Sequence, residues 1–169
     1  GASANASQTE SVALGFGANA SDVSAIAIGS RAVASGYSSF SAGNQSKASG
    51  DNSVAVGSTA TAKLQSTAIG AQARASGSTS TSLGFNSSAS GESSISAGFD
   101  AKATSTNSSA FGYGAKALGI NSLSLGANSS ALGLSSQAVG DLSLATGSRS
   151  IAIGADSRSG LSRDVEIPQ

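Results

Sequence analysis

Eleven glycines divide the chain at near-constant intervals. Gly15, Gly29, Gly43 and Gly57 stand fourteen residues apart, and after one thirteen-residue step the spacing resumes at Gly70, Gly84, Gly98, Gly112, Gly126, Gly140 and Gly154. With these glycines at position five, units of one pattern fill residues 11–163. The first three are SVALGFGANASDVS, AIAIGSRAVASGYS and SFSAGNQSKASGDN, and a short unit, SVAVGSTATAKLQ, occupies residues 53–65. A period this short specifies a solenoid, in which each unit touches mainly its neighbours and none folds alone.

Positions one to five alternate as a strand does: Ser, apolar, small, apolar, Gly. Position four is always apolar and position three only Ala or Ser. Position two is mostly Val, Ile, Leu or Phe, with Thr67, Thr81, Ser109 and Gln137 as polar exceptions. Positions eight to eleven carry a weaker alternation, with Ala or Ser at eight and Ala at ten in every unit but the last, where Ser159 replaces it. Gly at position twelve, as in Gly36 and Gly77, is expected to supply the turn into the next unit. Two strands and two turns per unit make one coil of a flattened parallel roll, rising about 4.8 Å per coil into a rod of roughly 50 Å. A helical reading of the period fails, because each recurrent Gly would cost about 1 kcal/mol against Ala.

The chain has no Cys, His, Met or Trp, and its nine basic and nine acidic residues balance. Zinc clusters, thiol nucleophiles, disulfides and imidazole bases are therefore excluded. Balanced charge removes the footprint expected of a nucleic-acid partner. No cofactor or catalysis is expected: hexapeptide coils with a catalytic His, calcium-binding nonapeptides and a serine triad all lack their residues. Threonines are too scattered for an ice-binding ladder. A Ser- and Gly-rich chain could be disordered, but strict periodicity argues for a fold. No apolar run approaches a membrane span, and no charged leader opens the chain. Gly1, Ala4 and Ala6 fit positions five, eight and ten of a partial repeat over residues 1–10. Val165 and Ile167 continue the alternation, but Glu166 and Pro168 break it. We expect a roll over residues 1–163, then its end or the start of a connector over 164–169, within a longer protein.

Side-chain size points to an oligomer. If positions three, five, eight and ten face inward, the interior is lined by Ala, Ser and Gly. The large side chains then form an outward stripe: Val12, Leu14, Ile26, Ile28, Val54, Val56, Ile69, Leu83, Ile95, Phe111, Leu123, Leu125, Val139, Ile151 and Ile153. An exposed stripe marks an interface, and three stripes around a threefold axis would cover it. The reverse arrangement would place these side chains inside each roll. Polar residues at position two favour the axis, which can hold water where a thin core cannot.

The segments SVALG, AIAIG, SVAVG, STAIG and SIAIG, each followed by small residues and a Gly turn, resemble the head repeats of the YadA-like trimeric autotransporter adhesins of Gram-negative bacteria. The resemblance covers essentially the whole chain. It implies a left-handed parallel β-roll, an obligate homotrimer, and display at the tip of a fibre on the bacterial outer membrane. A stalk and membrane anchor would lie elsewhere in the full protein. It also implies attachment to extracellular-matrix protein or host-cell surfaces; the alternative is a structural spacer that presents another binding domain.

Three features are candidate ligand sites. Phe85, Phe99 and Tyr113 occupy position six of successive units and should stack as a ladder, either as a docking strip or as the edge of the subunit interface. Position nine carries Lys47, Arg74, Lys102, Lys116 and Arg158, cations that either attract an acidic polymer or discourage sheet association. Leu118, Ile120, Leu132 and Leu134, with Leu144, put aliphatics where other units are polar, as a binding patch or a contact with a neighbouring subunit.

Overall fold

Each coil lays down a three-residue strand at positions two to four and a two-residue strand at nine and ten, from Val12–Leu14 and Asn19–Ala20 to Ile151–Ile153 and Arg158–Ser159. A computed structural model describes residues 1–160. The long strands form an eleven-stranded parallel sheet, and the short strands, beginning at Asn5–Ala6, a twelve-stranded one. Every residue pairs with its equivalent one coil on: Val12 with Ile26, Leu14 with Ile28, Asn19 with Val33. The expected all-β parallel solenoid of fourteen-residue coils is the observed fold. The expected boundary at residues 163 and 164 lies outside the described residues.

The thirteen-residue coil keeps register, because Thr67 still pairs with Val54 and Ile69 with Val56. Its missing residue comes from the turn, where only Lys63, Leu64 and Gln65 join Ala62 to Ser66. Strand pairing is thus conserved at the expense of a solvent-facing connection, which loses least by shortening.

Among the described residues, every buried side chain is alanine or serine. In the second coil these are Ala25, Ala27, Ala32 and Ala34, at positions one, three, eight and ten. Two expectations need correction. Position one joins the interior, and position five does not. Gly57 has φ +126°, and a Cβ on it would lie 2.5 Å from the carbonyl oxygen of Gly70, so this position faces along the rod into the next coil. Position twelve is glycine for the same close approach rather than to make the turn: a Cβ on Gly36 would collide with the backbone of Gly50 and Asp51. The left-handed residues of the two turns are at seven and fourteen, as in Arg31 (φ 55°) and Ser38 (φ 51°).

Residues one to seven therefore repeat the geometry of eight to fourteen. The coil is a pair of similar halves, each with inward residues, a strand and a left-handed turn residue; the close-approach glycine is constant at five and replaced at twelve in some coils, as by Asp22, Leu64 and Ser105. Serine hydroxyls follow this symmetry. Ser80 Oγ donates to the Gly77 carbonyl at 2.7 Å, and in the other half Ser87 Oγ donates to Gly84 at 2.9 Å. Where serine stands at three and eight of one coil, the hydroxyls bond across the core: Ser41 with Ser46 at 2.7 Å, Ser82 with Ser87 at 2.7 Å and Ser124 with Ser129 at 2.6 Å. Most buried hydroxyls in proteins are paired; Ser53, Ser136 and Ser150 are exceptions, with no partner for Oγ.

Replacing buried Ala75 with Leu forces methylenes between close sheets and should cost about 1–3 kcal/mol. Arg74→Leu, on the outward neighbour, should cost little; equal losses in thermal stability would mean the faces are assigned wrongly. Ser136→Ala removes an unpartnered hydroxyl and should raise the melting temperature, whereas Ser80→Ala removes a bond of about 1 kcal/mol and should lower it.

Candidate binding surfaces

With only alanine and serine inside, every large side chain lies outside. The long-strand face carries the aliphatic stripe as a flat surface running the length of the rod. Ile69 is 43% exposed and Ile153, in the last coil described, 70%. Val12, Leu14, Ile28, Leu83, Ile95, Leu125 and Ile151 are likewise exposed, while Ile26, Val54, Val56, Phe111, Leu123 and Val139 are half-buried by neighbours in the sheet. Phe40 belongs to this stripe although it was not among the expected interface residues; it pairs with Ile26 and Val54. The signal was its parity at position two. In the two coils that carry Phe on the stripe, the other stripe residue is small: Phe40 accompanies Ala42 and Phe111 accompanies Ser109.

At the turn beside this face the aromatic ladder forms as expected. The rings of Phe85 and Phe99 lie 5.3 Å apart at 15°, and those of Phe99 and Tyr113 lie 5.2 Å apart at 7°. The one-coil repeat fixes this spacing, and all three rings are exposed, the middle one, Phe99, as much as Phe85 at the end. Phe16 is exposed alone further up.

The short-strand face looks the opposite way. Positions nine and eleven point outward there, and in most coils they carry Ser, Thr, Asn, Lys or Arg. Leu118 and Leu132 occupy position eleven of adjacent coils, with Ile120 and Leu134 two residues on, and all four are exposed as one patch. Leu144 is half-buried beside it, and Leu142, at a left-handed turn position, adds further exposed surface. Position nine forms a continuous row, Lys47, Thr61, Arg74, Ser88, Lys102 and Lys116, each paired to the next. Lys102 Nζ lies 3.4 Å from Asp100 Oδ1 in the preceding turn.

Among the described residues there is no pocket and no group of three or more His, Cys, Asp or Glu side chains placed to hold a metal. The chemistry on offer is that of extended faces: an aliphatic stripe, a stacked aromatic edge, a row of cations and an aliphatic patch.

Comparison with known proteins gives one family. The YadA head domain repeat, in its two-copy form, matches residues 1–18, 6–32, 34–60, 63–87, 89–115, 103–129, 114–136 and 131–157. No curated protein matches the chain. Among solved structures, the crystal structure of the collagen-binding domain of the Yersinia adhesin YadA is similar, with 22% sequence identity and a TM-score of 0.37; the match covers 90% of this chain and 74% of that one. Matched along nearly every coil, the chain belongs to the family of YadA head domain repeats.

Proposed function

We propose that the chain is the head of a surface-displayed, non-catalytic adhesin. It assembles as a homotrimer around its long-strand faces and turns its short-strand faces toward extracellular-matrix protein or host-cell ligands. In the full protein it stands outside the outer membrane and is held there by an anchor beyond this chain. Membership of the head-repeat family supports the adhesin role. One observation carries the assembly: a rod-long aliphatic stripe on the outside of a roll whose own interior has room only for alanine and serine. Burying an aliphatic side chain contributes about 1.5–3 kcal/mol, so one stripe per subunit supplies ample driving force for association.

On the opposite face the patch of Leu118, Ile120, Leu132 and Leu134 is the proposed protein-binding surface, because it stays exposed when the long-strand faces meet. The test combines sedimentation with adhesion of the purified chain to matrix proteins and cultured host cells. A trimer that adheres, and whose Leu118→Ser/Leu132→Ser variant remains trimeric with an unchanged melting temperature but adheres less, supports the proposal. A trimer that adheres to nothing is a spacer, and a variant that dissociates makes the patch a subunit contact.

A further inference from the structure

The balanced net charge conceals a segregation that the fold creates. On the outward rows of the short-strand sheet, positions nine and eleven carry Lys47, Lys63, Arg74, Lys102, Lys116 and Arg158. Among the described residues those rows hold no acidic side chain. The described Asp and Glu residues stand in the turns, as at Asp22, Asp51, Glu92, Asp100 and Asp141. Strand register makes the pattern regular: Lys47, Arg74 and Lys102 occupy one row at every second coil, with Lys116 directly after Lys102. At about 4.8 Å per coil, the row from Lys47 to Lys116 runs roughly 24 Å along the rod.

Lysines often guard the edges of sheets against unwanted pairing. The strands of Lys47, Arg74, Lys102 and Lys116 are not edges, since each is hydrogen-bonded to a coil on both sides; only Arg158 stands on the last described strand. Solubility would be served as well by mixed charge and does not explain the exclusion of acids from the rows. We propose that this row is a binding surface for a linear, sulfated or carboxylated polysaccharide lying along the rod, an inference that names a ligand class for the adhesin head proposed above. Several weak contacts, each screened alone, act together when the anions sit on one chain. Ser88, Thr61 and Ser130 in the same row add hydroxyls for hydrogen bonds to sulfates, carboxylates and sugar hydroxyls. Single-stranded nucleic acid fits less well, because it is held by aromatic side chains beside the cations. Here Phe85, Phe99 and Tyr113 lie along a turn on the long-strand side and stack on one another.

The experiment measures binding of the full chain to heparin at about 0.15 M salt, where the Debye length is about 8 Å. Lys47→Gln/Arg74→Gln is compared with Arg31→Gln/Arg149→Gln, which removes the same charge from turn positions, and both are checked for unchanged sedimentation and melting temperature. The expected result is an affinity loss of about tenfold for the row variant, less than twofold for the turn variant, and a steep fall with salt for the parent chain. Equal losses, no binding by the parent, or equally tight binding of a single-stranded oligonucleotide of matched charge would each overturn the proposal. A monomeric parent chain would instead overturn the trimeric head, a separate outcome read from the sedimentation alone.

Discussion

Two sheets lie so close that nothing larger than alanine or serine fits between them, and the rest of the molecule follows from that separation. Short connections hold the sheets at that distance, as Gly70 to Ala73 join Ile69 to Arg74, and glycines at position five and, in most coils, twelve let the turns of successive coils meet where a Cβ would strike the next coil's backbone. An interior this thin offers little apolar area per coil. The large side chains on the long-strand face offer the further apolar area that the proposed assembly would bury. The cost of the tight turns is visible in ordinary residues held in the left-handed region, among them Leu142 at φ 56°. Each such residue is strained by about 1–2 kcal/mol, a cost the surrounding ladder must offset.

The two outward faces therefore diverge in purpose although the two halves of each coil share one geometry. Positions two and four are mostly aliphatic, as the proposed subunit contact requires. Positions nine and eleven are mostly polar or cationic, which suits a face in water. The exceptions are Val33 and the Leu118 to Leu144 region, where the short-strand face takes on the composition of the long-strand one. In the proposed adhesin head one face serves assembly and the other ligands.

Much of this was legible in the sequence, and the limits have physical causes. Period and alternation disclosed the solenoid, the inward positions three, eight and ten, and the aromatic stacking, because a strict repeat turns sequence offsets into spatial ones. Position one escaped notice because serine reads as a surface residue. Only coordinates show Ser80 or Ser122 turned inward with its hydroxyl on a turn carbonyl. Glycine at twelve reads as a turn-former, because the usual reason for a recurrent glycine is its dihedral freedom. Contact between coils, not conformation, decides that position. The charge segregation was hidden by a balanced total and appeared once register assigned each charge to a strand or a turn.

The central claim is that copies of this chain bury the long-strand faces and leave the short-strand faces in water. The chain has no cysteine, so single thiols placed by Ile69→Cys and Arg74→Cys report on the two faces without background. Their rates of modification by a small thiol reagent in the native protein test the claim most directly. The account predicts rapid reaction at position 74 and strong protection at position 69, with protection lost on denaturation. Equal native rates at the two positions would contradict it.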